Sequence, residues 1–263
     1  MLDHQMMATG HDGAEDIWGR LVELVDRVRE GDEVACGVGC GGPMQPGGVE
    51  VSPLNIGQWR GFPLRSRLTE HVGLPVSIDN DAKALALGEG WRGAAREVDN
   101  YLAMVVSTGV GGGIVLDGRL LDGAAGNAGH IGHVVVEPDG RHCGCGGQGC
   151  LEAEASGLAI AAITGRPPAE APVGIRRRTG TLVGRAVASV VNLLDLELAV
   201  VAGSVALGFG DPFFEAARAE LETRARLEFA RGARITVADL GADGPIVGAA
   251  AVALNAMGDL LRS

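Results

Sequence analysis

The chain has 263 residues, 46% of them hydrophobic but only 3% aromatic, so its core rests on Ala, Val and Leu, with 43 glycines in the turns. That length admits one large domain or two lobes with a substantial core. A formal charge of −11 at pH 7 opposes binding to nucleic acid or to an anionic membrane surface; neither a basic leader with an apolar core nor an apolar run long enough to span a bilayer is read.

Helical and strand patterns alternate along the chain. Ile17, Leu21, Leu24, Val25 and Val28 recur at helical spacing, with Asp12 as a candidate cap upstream. Residues 34–38 read as a buried strand ending in the turn Gly41-Gly42-Pro43, and a helix starts near Pro63. Residues 75–78 form a short strand, and an alanine-rich helix covers about 81–93. Strands at 101–106 and 114–116 flank a glycine turn over 107–113, with Asp117-Gly118 as a hairpin turn. Further on come a helix from Glu152, a long helix over 182–194, a strand at 198–201, a helix over 212–229, a strand at 234–238 and a closing helix from Val247. The Pro-, Gly- and Arg-rich stretch 165–180 reads as a mobile loop. Such alternation predicts an α/β fold.

Three motifs carry chemistry. His133, Cys143, Cys145 and Cys150 make a Cys3His set suited to a closed, tetrahedral zinc site, among glycines that let the chain curl tightly. The plain alternative is three reduced loop thiols. A Cys143–Cys145 disulfide would lack relaxed geometry, and five cysteines leave one unpaired. Asp79-Asn80-Asp81 directly follows an apolar strand, where α/β folds present active groups, although Asn and Asp also cap helices. Ser107-Thr108-Gly109-Val110-Gly111-Gly112-Gly113 is a phosphate candidate, because glycines let backbone N–H groups approach phosphoryl oxygens. It is neither a Walker loop nor a Rossmann fingerprint, and a plain glycine hairpin would read the same.

The cysteine-rich stretch resembles the signature of the ROK family of sugar kinases and sugar-responsive regulators, over roughly residue 16 to the C-terminus. The resemblance implies a two-lobed actin-like (ribonuclease H-like) ATPase fold with a structural zinc knuckle. The small lobe would span 1–100, the large lobe 101–245 with the knuckle at 133–150, and 246–263 would pack back near the small lobe. By the same resemblance Asp81 is the general base that draws the proton from a sugar hydroxyl, and Asn80 is a sugar-binding amide. His133 would hold zinc with one ring nitrogen and face the sugar with the other, and Glu152 would accept sugar hydrogen bonds. Glu152 could equally be a carboxylate at a helix start. Asn55, after Pro53-Leu54, matches a sugar-contacting Asn, though it would otherwise be a turn residue. His130 stands where the family carries a sugar-binding Glu, which changes the donor and acceptor count at the pocket.

On the nucleotide side the resemblance assigns Thr108, Gly109, Gly111 and Gly112 to phosphate and Gly203 to the adenosine turn, with Ser204 in place of a second glycine. Gly248 opens a small-residue helix near the nucleotide. Lys83 replaces the family's second Asn, where its charge could act on Asp81 or on a phosphate, and Asp79 reads as a bystander. The family's opening Asp-x-Gly-Gly-Thr does not occur, and about 40 residues are missing by comparison with the family. The implied function is ATP-dependent phosphorylation of a hexose or N-acetylhexosamine at a primary hydroxyl, with Mg²⁺ on the nucleotide and a cytoplasmic homodimer as the setting. The alternatives are a sugar-binding protein without phosphoryl transfer and, more distantly, a transcriptional regulator.

Overall fold

The computed structural model describes residues 4–10 and 13–260, so the expected cap Asp12 lies outside the described residues. Helix α1 (Ala14–Val28) starts at Gly13, whose N–H is held by Asp16 Oδ2 at 3.0 Å. Its apolar side, with Trp18, Leu21 and Val25, covers a small core of Val51, Trp59, Phe62, Leu64 and Leu68. Strands β1 (Cys36–Cys40) and β2 (Val76–Asn80) pair in parallel, Cys36 opposite Val76 and Cys40 opposite Asn80. Helix α2 (Leu64–Val72) connects them and ends on Gly73 at φ 70°, a left-handed cap that suits glycine.

Helix α3 (Asp81–Arg92) follows β2 without a break. A second sheet holds β3 (Tyr101–Val106), β4 (Val110–Leu116), β5 (Arg119–Leu120), β6 (Leu198–Ala202) and β7 (Arg234–Val237), in the order β5-β4-β3-β6-β7. Strands β3 and β4 form an antiparallel hairpin, while β6 and β7 run parallel to β3. On one face, Leu102, Met104 and Val106 pack against α6 (Val173–Leu194), with Val183 and Val187, and against Phe213 of α8 (Asp211–Arg224). On the other, Tyr101 and Ala103 meet Leu85 and Ala86 of α3. The short helices α4 (Leu151–Ala155), α5 (Gly157–Thr164) and α7 (Ser204–Phe209) frame the ends of β3 and β6.

Helix α3 is buried from Ala82 to Glu89, its charged residues Lys83 and Glu89 included. Helix α9 (Gly244–Met257) lies across it, so close that a Cβ on Gly248 would stand 2.7 Å from the Ala84 carbonyl oxygen. The same helix presses on β1, where a Cβ on Gly37 would come within 1.8 Å of the Ala249 oxygen. These two helices tie the two sheets together.

Several expected boundaries move. The stretch 165–180 is not a loop throughout: α6 begins at Val173 behind Pro172, and its glycines serve helix contact. A Cβ on Gly180 or Gly184 would sit 2.1 Å or 2.3 Å from the carbonyl oxygens of Phe213 and Ala217, so this glycine pair lets α6 and α8 touch backbone to backbone. The first strand lies two residues later than expected, and α8 ends at Arg224. The glycine turn is shorter than read, because β4 already begins at Val110.

Candidate active site and metal knuckle

Asn80 and Asp81 sit where β2 gives way to α3. The Asn80 side chain caps the helix, its Oδ1 accepting from Ala82 N at 3.0 Å. Asp81 Oδ1 accepts from the same amide at 2.8 Å, and its other carboxylate oxygen has no protein partner among the described residues. Asp81 is exposed at the positive end of the α3 dipole. The turn after β1 lies beside them: a Cβ on Gly42 would be 3.3 Å from Asn80 Nδ2. Gly42 O in turn accepts from Leu54 N at 3.2 Å, which brings the exposed turn residue Asn55 to the same end of the small sheet.

Lys83 corrects the sequence reading. It is 2% exposed, and its Nζ lies 3.1 Å from Asp79 Oδ1 and 2.7 Å from Asp122 Oδ1. Its charge is therefore committed to these two carboxylates, and Asp79 is no bystander. Burial leaves the Asp79 carboxyl above its ordinary value, against the pull of Lys83 and of the Asn80 amide. The clamp links β2 to the segment that leads from β5 to His130 and His133. Only the replacement of Asn by Lys hinted at it; its partners lie 39 residues onward and four residues back, on β2.

That segment returns over β4. A Cβ on Gly112 would meet the Gly129 oxygen at 3.1 Å, and one on Gly111 would meet Ala82 Cβ at 3.1 Å. Gly111 and Gly112 are thus strand residues that let both α3 and the histidine segment approach β4, not members of the turn. His130 is exposed, its Nδ1 2.8 Å from Asn127 O, and its ring lies nearly parallel to that of His133 with centroids 6.2 Å apart.

The turn proper is Ser107–Gly109. Ser107 N donates to Gly109 O at 2.9 Å, and Ser107 O accepts from Gly157 N at 2.7 Å. Thr108 is exposed at its tip. Glu152, in the first turn of α4, accepts from Val110 N at 2.9 Å through Oε2, so one of its oxygens braces this turn. The turn after β6 stands beside it. Gly203 adopts φ 102°, and a Cβ there would lie 2.4 Å from the Val106 oxygen, so no other residue fits. The Ser107 and Ser204 hydroxyls meet at 2.9 Å and join the two turns, a pairing that the sequence showed only as a serine in place of glycine. Gly248, in contrast, packs α9 on α3.

The knuckle is compact. The ligand atoms of His133, Cys143, Cys145 and Cys150 all lie within 4.8 Å of one another. Cys145 and Cys150 sulfurs are 3.8 Å apart, and His133 Nδ1 is 3.6 Å from Cys143 Sγ. Zinc bonds of about 2.3 Å to sulfur and about 2.0 Å to nitrogen give tetrahedral edges of about 3.5–3.8 Å, so the donor set fits the ion. Burial pushes the Cys150 thiol up to about 12, while the Gly147 amide holds Cys145 below its usual value. A cation among them would compensate the thiolates. Gly149 adopts φ 71°, and a Cβ there would lie 1.6 Å from the Glu137 oxygen. Behind the knuckle, Glu154 is 1% exposed and accepts from Arg141 N and Arg178 Nη2, both at 2.6 Å.

Two sheets that contain parallel strand pairs, bridged by helices, make this an α/β protein, and its match to solved sugar kinase structures places it in the actin-like ATPase class. The model of the ROK family matches residues 1–256. A glucokinase from Thermotoga maritima is 33% identical over 280 residues, covering 94% of this chain and 87% of that protein. An N-acetylmannosamine kinase from Haemophilus influenzae is 36% identical over 175 residues, 61% of this chain and 58% of that one. Among solved structures, a ROK family glucokinase from Streptomyces griseus in complex with glucose and AMPPNP superposes with a TM-score of 0.80 at 31% identity, over 95% of this chain and 90% of that chain. The chain belongs to the ROK family.

Proposed function

We propose that this chain is an ATP-dependent sugar kinase that phosphorylates a hexose or N-acetylhexosamine at a primary hydroxyl, with Asp81 as general base. One observation carries the assignment: the helix-capping task belongs to Asn80, which leaves Asp81 exposed with a carboxylate oxygen unengaged. That oxygen accepts the hydroxyl proton. The sugar oxygen then attacks the terminal phosphorus of ATP, the bond from that phosphorus to the bridging oxygen breaks, and ADP leaves with the electron pair.

Asn55, Asn80 Nδ2, His130, the outward nitrogen of His133 and the second oxygen of Glu152 would position the sugar. With Nδ1 of His133 turned to Cys143, Nε2 is the nitrogen available to a hydroxyl. Thr108 and the amides of the Ser107–Gly109 turn would receive phosphate, with Gly203 keeping the neighbouring turn close; Gly111, Gly112 and Gly248 contribute close packing behind them. Magnesium entering with ATP supplies charge neutralisation on the phosphate oxygens. Zinc on His133, Cys143, Cys145 and Cys150 would be structural, since four protein donors close its shell.

ADP release measured across glucose, mannose and their N-acetylated amines tests the reading. Sugar-dependent release with one of them supports it. Saturable sugar binding with no ADP release from any would establish instead a sugar-binding protein without transfer.

A further inference from the structure

A cavity of about 710 Å³ lies far from this site, at the beginnings of β6 and β7, whereas the site occupies the ends of β3 and β6. Its lining is mixed polar and apolar, with the buried Leu221, Ala225 and Ile235 as its apolar wall. Around it stand Arg218, Arg226, Arg231 and Arg234, against the single acidic lining residue Glu222. Some guanidinium groups elsewhere meet carboxylates, Arg67 on Glu15, Arg141 and Arg178 on Glu154, Arg185 on Glu137 and Glu220, while others, such as Arg60 and Arg65, meet only backbone oxygens. None of the four cavity arginines has a carboxylate within 4.0 Å among the described residues. Arg218 is held in place, its Nε donating to Ile235 O at 3.0 Å and its guanidinium 5.6 Å from the Phe214 ring, with both Nη groups unengaged. All four are exposed and solvated, yet they stand together beside one carboxylate in a chain of net charge −11, which makes the cleft a local positive patch that attracts anions.

We propose that this cleft binds a small phosphate-bearing organic anion. Guanidinium forks match phosphate oxygens two at a time, and an Arg cluster recognises them with geometry as well as charge. The volume suits a small molecule rather than a polymer, and the acidic remainder of the surface disfavours nucleic acid. The apolar wall beside the arginines would take the carbon part of the ligand. This assignment is independent of the catalytic reading, because the cleft shares no residue with that site.

Calorimetric titration of the full chain with pyrophosphate, and separately with citrate, tests it. Pyrophosphate should bind the wild type, and Arg226→Gln/Arg231→Gln should weaken it by about tenfold or more, because each lost charged hydrogen bond is worth that much. Arg226→Lys/Arg231→Lys, which keeps the charge but not the fork, should fall between the two. Circular dichroism confirms that these exposed substitutions leave the fold unchanged. No pyrophosphate binding up to about 1 mM, equal affinity in wild type and the Gln variant, or citrate binding as tightly as pyrophosphate would each overturn the assignment.

Discussion

Lys83 is a cation with almost no solvent contact, and its two carboxylate partners come from different parts of the chain. Removing it leaves Asp79, itself largely buried, with a charge and no counter-ion, and frees Asp122 and the segment that follows. Lys83→Met should cost about 1–3 kcal/mol, the usual penalty for a stranded buried polar group and less than for a fully buried ion pair, since Asp122 can return to water. Urea unfolding would read this as a lower midpoint with an unchanged slope; an unchanged midpoint would show that the clamp carries no stability. The Asn80-Asp81 stretch after a strand, the Cys3His set and a glycine turn after β3, read four residues too long, were visible in the sequence because each lies within a short stretch. Lys83–Asp122 and Ser107–Ser204 were not, since the chain separations of 39 and 97 residues close only in the fold.

At the scale of elements, the knuckle and α4 form one unit. Purified protein should contain about one zinc per chain, and chelation should lower its melting temperature, at a cost of only part of the roughly 10–16 kcal/mol that zinc gives small peptides. A folded, reduced preparation without metal would remove the knuckle as a zinc site. Glu154 supplies a pH signature. Burial pushes its carboxyl up, but the Arg141 amide and the hydrogen bond and charge of Arg178, with Arg141, outweigh that and leave it below the ordinary carboxylate value. A depressed folded pKa stabilises fully above the unfolded value and loses its contribution as pH falls through the folded one. Wild type should therefore exceed Glu154→Gln in melting temperature at neutral pH, with the gap narrowing below the ordinary carboxylate pKa. A gap independent of pH would mean that the ionised carboxylate is not what holds Arg141 and Arg178. Helix α6 shows where sequence reading loses an element: Gly174 and Gly180 resemble breakers, yet Gly180 and Gly184 face the α8 backbone, and only the packing partner distinguishes the two roles.

Across the whole molecule, α3 is the structural link between sheet and chemistry. It begins with the proposed base, packs on β3 and β4 through Leu85, Ala86 and the strand glycines, and is crossed by α9 at Gly248. The alternation of elements and the alanine-rich run foretold such an α/β arrangement. The placing of α3 and α9 between two sheets rests on contacts such as Gly37 with Ala249, which carry no local signal. Because α3 is buried along most of its length, its first residue is held in place against both sheets, as a positioned base requires. The most direct measurement is sugar-dependent ADP release by Asp81→Asn beside wild type, with sugar affinity measured by calorimetry on both. The amide keeps the shape and cannot take the proton, so turnover should fall by about 100- to 10,000-fold while sugar affinity changes little. Wild-type turnover in Asp81→Asn would contradict the account and leave Asp81 as a residue of the helix start alone.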